Sequence, residues 1–308
     1  MIGPADAIGP AAQGSRKTRA AGLSIASNAT LIALKLAAGA ITGSIAIITE
    51  AVHSGIDLMA SVIAFVSVRK ADEPADADHP YGHAKIENLA AAIEGMLILV
   101  GAGIIVFESV RRLVDVVEVE SIGVGIAVIG FSAVCNLAVS SYLYRQARLT
   151  ESPALEGDAA HLRTDAFTST GVLVALVLVE ITDVTWLDPA TALLVAVAIV
   201  FAGVRILSRS SRVLVDEALP ADELDAVQEA FQQHGAVELE GFHKLRARRA
   251  GSRRYIDMHV QFADGTTLRR AHELAHELQR DIRARLRGAD VLIHLEPSES
   301  SARDAGAE

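Results

Sequence analysis

Residues 190–204 read Ala-Thr-Ala-Leu-Leu-Val-Ala-Val-Ala-Ile-Val-Phe-Ala-Gly-Val, without a charge anywhere in the run. Wound at 3.6 residues per turn, the segment is apolar on every face. A helix of that kind belongs inside a large soluble core or inside a membrane. Five further apolar stretches decide for the membrane. The six together occupy roughly 21–42, 45–68, 87–110, 121–143, 158–181 and 188–207. Each is close to the ~20 residues that cross a hydrocarbon core. The chain has 308 residues, 51% of them hydrophobic, and a mean hydropathy of +0.35. The pattern predicts an α-helical membrane protein with six transmembrane helices within 21–208, and a different kind of domain after them.

The basic residues set the expected topology. Arg16, Lys17 and Arg19 precede the first span, Arg69 and Lys70 follow the second, Arg145 and Arg148 the fourth, and Arg209 and Arg212 the sixth. The connections after spans one and five hold no lysine or arginine. The positive-inside rule then puts both termini in the cytoplasm of a multi-pass protein. Arg111 and Arg112, after span three, run against the rule and are read as snorkelling or outward-facing. Residues 1–20 are rich in Gly, Pro and Ala, lack the apolar core of a signal peptide, and are expected to form a disordered tail, as are 299–308. Cys135 is the only cysteine and lies within a span. Neither a disulfide within the chain nor a cysteine cluster for Cu(I) is available. The net charge of −10 argues against nucleic acid as a partner.

Two spans carry the same four-residue spacing. His53 and Asp57 lie in IAIITEAVHSGIDLMASVIAFV (45–66), and His161 and Asp165 lie in GDAAHLRTDAFTSTGVLVALVLV (157–179). Positions i and i+4 share a helix face. Ionisable groups within a membrane are costly and face a bundle interior or a water-filled cavity. Two such helices meeting offer two nitrogens and two oxygens, a donor set suited to tetrahedral Zn²⁺. A helix-packing hydrogen bond would explain one pair, but two matching pairs favour a metal. Glu50 shares the face of His53 and Asp57 and is a candidate for outer support or proton handling.

A second candidate set lies in the loop RKADEPADADHPYGHAK (69–85). Asp76, His79 and His83 stand three and four residues apart, with Pro80 and Gly82 breaking regular helix, so turns must gather them. A carboxylate and two imidazoles leave a fourth position open.

The composition changes after about residue 209, and 209–298 reads as a small domain. ADELDAVQEAFQQHG (221–235) is predicted as a helix closed by Gly235, 237–251 and 252–265 as two strands, 266–288 as an amphipathic helix ended by Gly288, and 289–297 as a last strand. Ile256, Met258, Val260 and Phe262 alternate onto one strand face, which sends His259 to the other. The same alternation pairs His294 with Glu296. His243, His259, His272, His276, His294 and Glu296 make the domain histidine-rich enough to hold metal. The order α-β-β-α-β suggests an open-faced sandwich. His272-Glu273-Leu274-Ala275-His276 also fits H-E-x-x-H, the zinc metalloprotease helix, which leaves a membrane-anchored protease as a rival reading. A membrane protein that senses metal at the tail and moves no ion is another.

Together these motifs resemble the cation diffusion facilitator family, from about residue 20 to 297. The HSGID and HLRTD pairs look like its transport site, and DADHPYGHAKIENLA (76–90) like its loop after span two. The resemblance implies no enzyme, but a homodimeric, zinc-type exporter of divalent cations working by proton antiport in a bacterial cell membrane. It assigns His53, Asp57, His161 and Asp165 to transport, Asp76, His79 and His83 to the loop site, and His243, His259, His272, His294 and Glu296 to a regulatory cluster in a cytoplasmic, metallochaperone-like domain. Glu296 stands where well-known members carry Asp. Lys85 and Asp216 resemble a contact that braces the spans against the tail. The short segment YRQARLTESPALEG (144–157) replaces the histidine-rich loop of some eukaryotic members. Zn²⁺ is the expected cargo and regulator; Fe²⁺, Co²⁺, Cd²⁺ and Mn²⁺ also fit. Protons and membrane lipid complete the expected partners.

Overall fold

The computed structural model describes residues 10–42, 45–114, 123–182, 184 and 186–298. Within its helices, the side chains of 10, 11, 42, 45–50, 52, 53, 112, 114, 123–126, 176, 180 and 188 are outside the described set. The chain divides into two compact units, Met1–Ser211 and Arg212–Glu308.

Among the described residues the first unit is built of six long helices, the last of which runs three residues past its boundary: α1 (Pro10–Thr42), α2 (Ile45–Ala71), α3 (Lys85–Val114), α4 (Gly123–Thr150), α5 (Pro153–Thr182) and α6 (Leu187–Leu214). Among the described residues, five stretches are long and apolar enough to cross a membrane: Ala12–Ile41, Lys85–Arg111, Ala127–Thr150, Pro153–Val179 and Pro189–Leu214. Their outer faces carry Phe107, Val134, Leu194 and Phe201, each at least 68% exposed. So much bare apolar surface suits lipid and not water. Inside, small residues let the helices close. A Cβ at Gly95 would come within 2.8 Å of the Leu207 nitrogen, and one at Gly203 within 2.9 Å of Leu99, so α3 and α6 meet through their glycines. α1 packs on α2 and α4, α5 on α4 and α3, and α2 on α3 and α5.

The helices outrun the apolar windows. α1 begins at Pro10, so residues 10–20, expected in a disordered tail, are helical. Alanines supply propensity, and Lys17 is buried against Glu87 at 2.7 Å. The expected loop 144–157 contracts to Glu151 and Ser152. Tyr144–Thr150 continue α4, and α5 starts at Pro153, whose missing N–H costs nothing at a first helical position. The Ser152 hydroxyl accepts from the Leu155 amide at 3.4 Å as the cap. Hydropathy marks where a helix meets lipid, not where it ends.

The second unit contains α7 (Ala221–His234), β1 (Leu239–Ala250), β2 (Arg253–Phe262), α8 (Leu268–Arg285) and β3 (Ala289–Pro297), the expected order. β1 pairs antiparallel with β2, and β3 lies parallel to β2 on its other side. Gly235 caps α7 at φ 58°. α8 stops at Arg285, before Gly288, with the Leu286 amide bonded back to Ile282. Leu274, Leu278 and Ile282 of α8 pack on Ile256, Met258 and Val260. That covers one sheet face and leaves the other to the histidines.

Candidate metal centres

Within the helical unit, Asp57 of α2 meets His161 and Asp165 of α5. One donor atom from each lies within 4.8 Å of the others. His161 Nε2 stands 3.4 Å from Asp57 Oδ1 and 3.9 Å from Asp165 Oδ2. Asp57 and His161 are each only 6% exposed. Neither ring nitrogen of His161 has a hydrogen-bond partner among the described residues. Buried polar atoms are nearly always paired. An imidazole left open beside two carboxylates is the donor arrangement of a cation site. The side chains of His53 and Glu50 lie outside the described residues; His53 falls one helical turn before Asp57 in α2.

Two carboxylates that the sequence reading did not single out border this cluster. Asp158 of α5 is fully buried. Its Oδ1 accepts from Ser61 at 2.9 Å, and its Oδ2 has no hydrogen-bond partner among the described residues. Ser61 also meets Ser24 and Asn28, each at 2.8 Å, and Asn28 reaches the Asp57 carbonyl at 3.4 Å. Glu94 of α3 is fully buried, with neither oxygen hydrogen-bonded among the described residues. Its stem packs against Gly157 of α5, next to Asp158 and one helical turn before His161, and its carboxyl lies within the electrostatic reach of His161, Asp158, Asp165 and Asp57. A signal was present in the sequence: a lone carboxylate inside LAAAIEGMLILVG is a functional candidate by its cost alone.

The loop set is brought together as expected. Asp76 Oδ1 accepts from the His79 amide at 2.7 Å and lies 3.2 Å from His79 Nδ1, while Oδ2 is 3.3 Å from His83 Nε2. Gly82 at φ 81° makes the turn that returns His83 to the others. The His79 amide holds the Asp76 carboxyl below its usual range, against slight desolvation. Asp76 and His79 face solvent, His83 is buried, and its Nδ1 has no hydrogen-bond partner among the described residues.

On the open face of the sheet, strand register lines up three imidazoles. His243 is opposite His259, and His259 is opposite His294. Glu296 reaches His243 Nε2 at 2.6 Å and His259 Nδ1 at 2.5 Å. Burial raises the Glu296 carboxyl, but the hydrogen bonds from His243 and His259 outweigh it and hold the group at about 2. His243, His259 and Glu296 form the three-donor group. His294 stacks beside His259 at 4.6 Å, with Nε2 3.6 Å from Glu296.

His272 does not join them. It stands on the exposed side of α8, ring to ring with His276 at 4.3 Å, and α8 covers the opposite sheet face. Expecting it in the cluster is therefore incorrect within one chain. The H-E-x-x-H reading fares no better. Among the described residues no third ligand joins His272 and His276, and Glu273 lies exposed near Arg270. Asp216 accepts from Arg248 at 2.9 Å, inside the second unit.

Residues 22–215 match the family model described as the cation efflux transmembrane domain, and residues 219–298 that of the cation efflux protein cytoplasmic domain. The chain is 36% identical over 277 residues to an uncharacterized transporter of Synechocystis, covering 90% of this chain and 89% of the relative. It is 32% identical over 291 residues to the cation-efflux pump FieF of Serratia proteamaculans, covering 92% and 94%. Against FieF of Escherichia fergusonii the identity is 31% over 285 residues, covering 91% and 92%.

Proposed function

This chain belongs to the cation diffusion facilitator family of membrane transporters, and on that premise we propose that it exports a divalent cation, Zn²⁺ foremost, in exchange for protons. The observation that carries this reading is the His161 imidazole, buried between Asp57 and Asp165 with neither nitrogen hydrogen-bonded among the described residues. His53 completes the donor set as fourth ligand. Two imidazoles with two carboxylates suit Zn²⁺ better than Mn²⁺, which prefers oxygen.

An imidazole binds metal only when neutral, so cation and proton compete for its nitrogen. In the cytoplasm-facing state the site takes the cation and gives up protons. In the outward-facing state protons displace it. Exchanging Zn²⁺ for one H⁺ carries a net positive charge outward, against ~2.3 kcal/mol per 100 mV of a usual potential. The proton gradient supplies the drive, and rocking of helix groups about the fixed site supplies alternating access.

All six long helices span the membrane in this reading, with both termini cytoplasmic, and two copies form a dimer through the tail. The loop set and the sheet cluster of His243, His259 and Glu296 hold further cations, and the latter senses the cytoplasmic supply. That cluster by itself also suits a metal sensor that moves no ion, and flux separates the two. In sealed vesicles with an imposed pH gradient, the chain is expected to load Zn²⁺, and Asp57→Ala and Asp165→Ala are expected to reduce loading to background. Full-speed loading by either variant overturns the site assignment.

A further inference from the structure

One fully buried acid in the helical unit has no task in the exchange described above. Glu94 is fully buried, and neither of its oxygens has a hydrogen-bond partner among the described residues. A buried carboxylate left so costs several kcal/mol unless it takes up a proton or a cation answers it. Other acids shielded from solvent have basic partners: Glu87 has Lys17, with Ser152 beside it, and half-buried Glu223 has Arg249 and Arg254. Glu94 has instead the neighbourhood of Asp57 from α2 and Asp158, His161 and Asp165 from α5. Three acids and an open imidazole make a surrounding that protons balance at rest and that an incoming cation can balance in their place.

The backbone makes room for the Glu94 stem. Gly157 of α5 abuts Glu94, and a Cβ there would sit 3.1 Å from both Cβ and Cγ of the glutamate. On its other side α3 meets the Leu207 backbone and Gly203 of α6 through Gly95. The Glu94 oxygens stand outside the trio whose donors lie within 4.8 Å of one another. A glutamate has three side-chain torsions with which to close such a gap.

We propose that Glu94 is a further cation ligand, which lends an oxygen to the ion held by Asp57, His161 and Asp165 during transport and thereby sets the acceptance of oxygen-preferring cations such as Mn²⁺ relative to Zn²⁺. This rests on the transport reading. An added carboxylate oxygen favours the harder ion, because Mn²⁺ takes oxygen donors readily while Zn²⁺ is already served by nitrogen.

The test compares Mn²⁺ and Zn²⁺ in vesicle uptake and in calorimetric titration of the purified full-length protein, for wild type, Glu94→Gln and Glu94→Asp. Glu94→Gln is expected to lower the Mn²⁺-to-Zn²⁺ ratio about tenfold in both measurements, a typical loss when a supporting group of a metal site is removed. Glu94→Asp, which keeps the charge on a shorter stem, is expected to fall between the two. An unchanged ratio, or an equal loss for both ions, overturns the assignment and leaves Glu94 a packing residue. Should Glu94→Gln not fold, an Asp variant with the wild-type ratio overturns it equally. Wild-type protein that binds both ions but moves neither removes the transport reading, and the titration then judges Glu94 as a ligand by itself.

Discussion

His161 shows how much of the membrane site a spacing rule can reach. Its carboxylate neighbour Asp165 follows from i and i+4 on one helix, and Asp57 was visible as the same rule repeated in α2. That the two helices meet so that His161 Nε2 comes 3.4 Å from Asp57 was not visible, because no local rule pairs α2 with α5. Glu94 and Asp158 escaped for a related reason: each stands without a partner at helical spacing in a second apolar helix, and only packing reveals what they face. Ser61 supports this arrangement through Ser24, Asn28 and Asp158. Ser61→Ala strips Asp158 of a buried hydrogen bond and is expected to destabilise the detergent-solubilised protein by ~1–3 kcal/mol. Thermal unfolding followed through Trp186 fluorescence measures it, and an unchanged midpoint would remove Ser61 from that role.

Elements add what single residues lack. The early start of α1 brings Lys17 to Glu87 of α3, both almost fully buried, with Ser152 of the α4–α5 turn bonded to the same carboxylate. Losing one member of a buried pair costs ~3–5 kcal/mol. Lys17→Met is therefore expected to destabilise the helical unit strongly, and Lys17→Met with Glu87→Gln to recover most of the loss. In the tail, Glu223 of α7 clasps Arg254 of β2 and Arg249 of β1. Burial raises the Glu223 carboxyl, and the hydrogen bonds from Arg254 and Arg249 more than reverse it, so the net shift is downward. A carboxyl lowered in the folded state adds stability that is complete above its unfolded value of about 4.3 and disappears as pH falls through the lower folded value. Hydrogen exchange of β1 and β2 amides in the full chain is expected to separate wild type from Glu223→Gln at pH 7 and to bring them together in strong acid. A gap that persists in acid would mean that Glu223 acts by packing alone.

At the scale of the whole molecule, charge distribution and copy number take over. Basic residues gather after spans two, four and six, and the connection after span five has none. In a Cys135→Ser background, a cysteine at Trp186 is expected to react with an impermeant maleimide applied to intact cells, and a cysteine at Ser211 is not. The reverse pattern would invert the topology. The sheet cluster belongs to this scale because its proposed sensing role is read in the flux of the whole protein. His259→Ala is expected to raise the Zn²⁺ concentration needed for activation while part of the maximal flux persists. If it abolishes transport as completely as Asp57→Ala, the sensing role is wrong.

The chain's covalent order by itself determined the helical membrane unit, the α-β-β-α-β tail and the faces on which most candidate ligands lie. Hydropathy and the periods 3.6 and 2 are properties of a segment and its solvent, and need no knowledge of neighbours. Tertiary structure alone decided which faces meet. It set His243, His259 and His294 in one row, turned His272 away, extended α1 into the supposed tail, and placed Glu94 against Gly157 of α5, one turn from His161. The physical reason is common to all four. Register, helix crossing and the pairing of buried charges are settled by contacts between residues far apart in sequence, where no local period reaches.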